Sequence, residues 1–183
     1  MPERASRWAG RAAVSLGVAV LVMNLVWMGR NWADLRPVAA GDIAPPFSLP
    51  RLDQDGQLAL EDLRGNVVLV DFWATWCDPC IAAMPALERI YKRFQSQGFE
   101  IVSVNTEGPG AAGKARRVAR ELGLTFPIVS DDGYVSSLYK VSTIPHLVLI
   151  DRRGVVTEVH RGTRSGFEKH LARDVSALTQ QPR

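Results

Sequence analysis

The sequence predicts an α/β domain, a mixed β-sheet with helices on both faces, preceded by one apolar helix. Three observations predict it. Val67 to Trp73 and Ile101 to Asn105 are nearly unbroken apolar runs, as strands buried on both faces require. Helix-like segments alternate with such runs in the order β-α-β-α-(β)-α-β-β-α. Ahead of them, Ala12 to Gly29 is an 18-residue stretch without a charge.

That stretch would span about 27 Å as a helix, close to the thickness of the bilayer hydrocarbon. Residues 1–11 carry Arg4, Arg7 and Arg11 against Glu3, and Arg30 and Arg36 follow with Asp34. The basic excess on the N-terminal side predicts residues 1–11 in the cytoplasm, a transmembrane anchor at 12–29, a linker at 30–40 and an exported domain at 41–183. Trp27 and Trp32 suit the outer interface. A cleaved signal peptide is the competing reading. Its best site, Val38-Ala39-Ala40, lies about ten residues past the apolar run, which favours an uncleaved anchor. Either way the domain is exported.

Within the domain, Gly41 to Pro50 is too proline-rich for a helix and reads as an extended edge segment. Asp53 to Gly56 is a turn signal before a short strand at Leu58 to Leu60. After the strand Val67 to Trp73, a helix should run from Pro79 to about Gln97, contain Pro85 and end at Gly98. Lys114 to Leu122 reads as a helix, Phe126 to Val129 as a short strand and Tyr134 to Tyr139 as a short helix. Leu147 to Ile150, a turn at Asp151 to Gly154, and Val155 to Arg161 form a hairpin. Arg164 to Leu178 closes the domain, with Phe167, Leu171, Val175 and Leu178 at helical spacing.

The formal net charge of +3 sits in residues 1–40, which hold five arginines and two acids; residues 41–183 balance at 17 of each sign. The basicity therefore belongs to the anchor's flanks, which argues against a nucleic-acid partner. Lys114, Arg116, Arg117 and Arg120 read as a solvated helix face.

Cys77 and Cys80 are the only cysteines in the chain. A Cys-x-x-Cys at a strand-to-helix junction reads as a thiol–disulfide site. The first sulfur lies near a helix N-terminus, where unpaired amides favour thiolate over thiol. The second is close enough to form a disulfide with it and release a bound partner.

Together with the segments Gly41-Asp42-Ile43-Ala44-Pro45-Pro46-Phe47-Ser48-Leu49, Val70 to Cys80, Met84-Pro85-Ala86-Leu87, Thr143-Ile144-Pro145 and Leu149 to Gly154, this motif resembles the thioredoxin superfamily. More narrowly it is similar to the membrane-anchored TlpA/ResA-like thiol–disulfide oxidoreductases of bacteria. The resemblance covers about residues 41–178. It implies a thioredoxin fold with an N-terminal extension and a central insertion at Thr106 to Leu124. It also implies a bacterial inner-membrane protein whose domain faces the periplasm. Cys77 matches the attacking cysteine and Cys80 the resolving one, so no cofactor is implied beyond the redox-active Cys77–Cys80 disulfide. Pro145 matches the family's cis-proline, which leaves nearby backbone free to pair with substrate. Thr143, Ile144, Trp76, Asp78 and Pro79 complete the expected substrate-binding surface.

Asp71 is the one charge in its apolar run and matches the buried aspartate behind the second cysteine. Burial would raise its pKa and fit it to serve Cys80 as a base. Many family members carry a glutamate three residues after the second cysteine; here that position is Ala83, which leaves Asp71 as the acidic candidate. Asp78, between the cysteines, opposes thiol ionisation and hints at a reductant, as does Ile144. The implied substrates are protein disulfides, apocytochrome c among the family's uses. The implied electron donor is a membrane thiol reductase of the DsbD/CcdA type.

Two other classes are weighed. A peroxiredoxin-like peroxidase shares the Ala-Pro-Pro-Phe-Ser-Leu segment, but Phe72 to Trp76 has no proline and a resolving cysteine is already present. A copper-binding module would need His146 turned toward the thiols, and no wider metal-ligand set is visible. His146 reads as a structural residue at a strand end, and His160 and His170 as surface residues.

Overall fold

The computed structural model describes residues 3–30, 36–162 and 166–181. The chain divides into two compact units, Met1–Pro37 and Val38–Arg183. The first contains one helix, α1 (Glu3–Arg30). Among the described residues no helix is long and apolar enough to cross a membrane. The side chains of residues 12–15, where the expected 12–29 anchor begins, lie outside the described residues, as do 31–35 of the linker.

In the second unit the elements follow in the expected order: β1 (Ser48–Pro50), β2 (Gln57–Ala59), β3 (Val67–Trp73), α2 (Asp78–Phe94), β4 (Phe99–Asn105), α3 (Ala112–Leu122), β5 (Ile128–Ser130), α4 (Tyr134–Leu138), β6 (His146–Ile150), β7 (Val156–Arg161) and α5 (Phe167–Thr179). Arg164, expected to start the closing helix, lies outside the described residues. Five strands form one sheet in the order β5-β4-β3-β6-β7. β3 runs parallel to β4, and β4 to β5; β6 is antiparallel to both β3 and β7. The central strand β3 is buried at all seven positions, as its uninterrupted apolar composition requires.

Side chains alternate across a strand, and here the alternation sorts two cores. Val67, Leu69 and Trp73 pack with α2, Ala115 of α3 and Leu171 and Val175 of α5. Val68, Val70 and Phe72 pack with Phe47, Leu49, Leu58, Leu60, Val135 and Tyr139. Helices were expected on both faces. The second face is covered mainly by the β1–β2 segment, with only the short α4 beside it. The Tyr139 hydroxyl donates to the Pro45 carbonyl at 2.8 Å and ties the two together.

Local signals explain the ends of α2. Pro79 sits in its first turn, where no amide is needed. A short 3-10 turn, Gln95–Gln97, follows, and Gly98 at φ 79° ends it, a left-handed conformation that glycine adopts without a Cβ clash.

Candidate active site

β3 ends at Trp73 and α2 begins at Asp78, so the chain must turn within Ala74 to Cys77. Cys77 is the N-cap of α2, and its sulfur accepts the Cys80 amide at 3.3 Å. That contact delivers one of the helix's unpaired N–H groups, with the positive end of its dipole, to the first sulfur. The two cysteines form a disulfide, with Cα atoms 5.2 Å apart. Cys77 is 4% exposed and Cys80 2%. Trp76 beside them is exposed, as are Asp78 and Pro79.

Both sulfur-bearing residues pack in the core that includes Val67, Leu69 and Trp73. Asp71 has the same parity on β3, so its side chain lies on the disulfide's side of the sheet. It is 2% exposed, and the Ser103 hydroxyl donates to its Oδ2 at 3.3 Å. Burial pushes its pKa up to about 7, with the Ser103 bond opposing the rise only in part. A carboxyl poised there can hold or release a proton near neutrality.

The Ile144–Pro145 peptide bond is cis. β6 starts at His146, opposite Phe72. One step further along this antiparallel register, Pro145 stands beside Trp73, where the cysteine turn leaves the sheet. Ile144 packs against the core that holds both cysteines. Thr143 is exposed. The expected residues on these two loops, at 76–80 and 143–145, therefore converge on one end of the sheet.

His146 takes the other side. It is fully buried and stacks edge-on against Phe72, 5.9 Å between ring centres, in the core that lacks the cysteines. Burial, with Arg161 nearby, lowers its pKa to about 4, so the ring is neutral. It therefore does not join the thiols in a metal-ligand set. His160, expected at the surface, is half-buried against Phe167 of α5. Among the described residues, Glu158, His160 and Asp174 form the one group of His, Cys, Asp or Glu side chains close enough together to share a metal ion. Neither cysteine belongs to it.

Three residues that sequence reasoning assigned only to a strand end and an insertion support the site. Thr106 donates its amide and hydroxyl to the Trp73 carbonyl at 3.0 and 3.2 Å. Glu107 accepts the Thr75 amide, and also the Thr75 hydroxyl and the Asn105 side-chain amide, each at 3.1 Å. Burial works against the Glu107 charge, but these three donors and Lys114 more than offset it, and its carboxyl sits below the usual range. The available signal was topological: parallel neighbours β3 and β4 bring their C-terminal loops side by side, where α/β sheets build sites.

The AhpC/TSA family profile matches residues 40–159. The chain is 39% identical over 161 residues to the thiol-disulfide oxidoreductase ResA of Geobacillus kaustophilus, covering 84% of this chain and 91% of that one. A crystal structure from Chlorobium tepidum, assigned as a thiol:disulfide interchange protein DsbE, superposes with a TM-score of 0.72 at 33% identity, over 78% of this chain and 99% of that one. The thioredoxin domain of a thiol-disulfide oxidoreductase from Bacteroides vulgatus gives a TM-score of 0.66 at 26% identity, over 75% and 99%. The disulfide at the helix N-terminus, the thioredoxin-like sheet and these relationships agree: the chain belongs to the AhpC/TSA family, among the ResA-type thiol–disulfide oxidoreductases.

Proposed function

We propose that this protein is a membrane-tethered, periplasm-facing reductant of protein disulfides. The observation that carries it is the Cys77–Cys80 pair at the N-terminus of α2, with the buried Asp71 carboxyl on the same side of the sheet. In the reduced protein the Cys77 thiolate attacks one sulfur of a substrate disulfide. That S–S bond breaks, its other sulfur leaves as a thiolate, and a mixed disulfide with Cys77 forms. Cys80 gives its proton to the Asp71 carboxylate and attacks the Cys77 sulfur. The substrate leaves with two more electrons, and Cys77–Cys80 is left oxidised, as in this structure.

Trp76, Asp78 and Pro79 from one loop, and Thr143, Ile144 and Pro145 from the other, supply the docking surface for the substrate chain. Reduction in an oxidising compartment needs a two-electron supply, which a membrane thiol reductase of the DsbD/CcdA type would provide. Apocytochrome c is a fitting substrate, since its Cys-x-x-Cys-His haem attachment site must be reduced. The exposed Asp78 carboxylate beside Cys77 supports the reducing direction, because a negative neighbour disfavours the thiolate of the reduced form. A peroxidase is less well supported: its single attacking cysteine follows a Pro and a Thr, whereas here the turn has no proline and a partner thiol lies three residues on.

Insulin-disulfide reduction by the chain should fall to background in Cys77→Ser, and the wild-type pair should equilibrate with glutathione buffers near thioredoxin's potential, about −270 mV. Undiminished reduction by the variant, or a potential near −120 mV, would overturn this reading.

The uncharged run from Ala12 to Gly29 supports the tether. The full chain should stay in the membrane fraction through an alkaline carbonate wash, and a chain lacking residues 1–30 should not. Recovery of the full chain in the soluble fraction would remove the anchor from the proposal.

A further inference from the structure

The turn that presents Cys77 is held from outside its own segment. Its first carbonyl, from Trp73, takes both Thr106 donors, and its middle amide and hydroxyl, from Thr75, both end on Glu107. Its last amide, from Cys77, closes back on the Ala74 carbonyl at 3.1 Å. Asn105 pairs with Trp73 across the parallel strands. It orients Glu107 twice, donating from Nδ2 to the carboxylate and accepting the Glu107 amide on Oδ1 at 3.3 Å. The fully buried Asn105 is thereby spent on aiming one acidic side chain at one backbone amide.

Tying down a turn does not require a charge; a carbonyl oxygen would accept the same amide. An ionised carboxylate adds a negative charge held on Thr75, two residues before the attacking cysteine, and a charge there opposes thiolate formation. The helix N-terminus favours the thiolate from the opposite direction. Asp71 is bonded to Ser103 and Asp78 is exposed to solvent, so Glu107 is the one of the three that grips the turn itself.

We propose that Glu107 is a positioning residue for the attacking cysteine, holding the Thr75–Trp76 turn through the Thr75 backbone and setting, by its charge, how readily Cys77 ionises. The proposal rests on Cys77 being the attacking thiol.

Two variants in the reduced full chain separate the roles. Glu107→Gln keeps an oxygen for the Thr75 amide and removes the charge. Glu107→Ala removes both. The readouts are the pH dependence of Cys77 alkylation, the rate of insulin-disulfide reduction measured where Cys77 is fully ionised, and the thermal midpoint. Glu107→Gln should move Cys77 ionisation to lower pH by roughly half a unit or more, the scale of one charge in a partly solvated setting. It should also keep most of the rate. Glu107→Ala should lose roughly tenfold or more in rate through misplacement of the turn. An unmoved alkylation profile in Glu107→Gln overturns the proposal, and so does a wild-type rate in a folded Glu107→Ala. If Glu107→Ala does not fold, the glutamine profile alone decides. Cys77→Ser serves as the control: if it still reduces insulin, the assignment of Cys77 as the attacking thiol has failed and the Glu107 proposal falls with it; if it is inactive, the two Glu107 variants decide.

Discussion

Cys80→Ser is expected to convert the protein from a turnover catalyst into a covalent trap. Cys77 would still attack a substrate disulfide, because its sulfur retains the N-cap position and the amide at residue 80. The mixed disulfide would then have no thiol three residues away to resolve it. Insulin reduction should fall to background while adducts accumulate with the protein's own substrates. Non-reducing gels of extracytoplasmic extracts, followed by mass spectrometry of the reduced bands, would identify those partners. Apocytochromes should be among them if the proposed use in cytochrome c maturation holds. Full turnover by Cys80→Ser would show that an external thiol resolves the intermediate and would remove Cys80 from the mechanism.

The second large effect is expected from Asp71→Asn, and it has opposite signs for activity and stability. The Asp71 carboxyl is held at about 7 in the fold by burial, against an ordinary 3.8. Below about pH 4 it is protonated in both the folded and unfolded chain and costs nothing. Between pH 4 and 7 the folded protein holds a proton that the unfolded chain has released, so stability declines as pH rises. Above 7 the full cost of burying a carboxylate remains. At about 1.4 kcal/mol per unit, that cost is up to about 4 kcal/mol. The stability of the asparagine variant relative to wild type should therefore rise between about pH 4 and 7 and level off above that in denaturant titrations. Its disulfide-exchange rate should fall roughly 100-fold, the usual worth of a positioned base, and lose its inflection near pH 7. The same stability difference at about pH 4 and pH 8 would mean that the carboxyl is not buried as described.

A buried acid that destabilises the fold at neutral pH is a poor structural choice, and that is itself informative. Leucine or asparagine in the centre of β3 would cost less. A buried acid held at such a cost on the disulfide's side of the sheet supports the proposed role of Asp71 as a proton acceptor.

Much of this was legible in the sequence because it is local. The apolar runs at 67–73 and 147–150, the Pro79 start of α2, the Gly98 stop of the 3-10 turn that follows it, and the turn at Asp151 to Gly154 each follow from neighbours a few residues apart. The same holds for the two cysteines: their spacing and their place between a strand and a helix are covalent facts. Asp71 was visible as a lone charge in an apolar run. Periodicity then implied which side it shares with Leu69 and Trp73, but not that the sulfurs lie there.

What only the tertiary structure decided depends on pairing between distant segments. The parallel register of β3 and β4 places Glu107 under Thr75, 32 residues away in the chain, and no local pattern at Thr106 to Gly110 announced it. The antiparallel register of β6 turned His146 onto Phe72 and away from the sulfurs, because a one-residue change in register exchanges the faces of a strand. The sequence by itself determined the chemistry, two thiols that can exchange with a disulfide. The fold determined the surroundings: which carboxyl is buried on their side of the sheet, which one grips their turn, and which histidine is kept apart. Bond connectivity and periodicity act over a few residues, whereas burial and proton affinity are set by whatever the folded chain brings within a few ångströms.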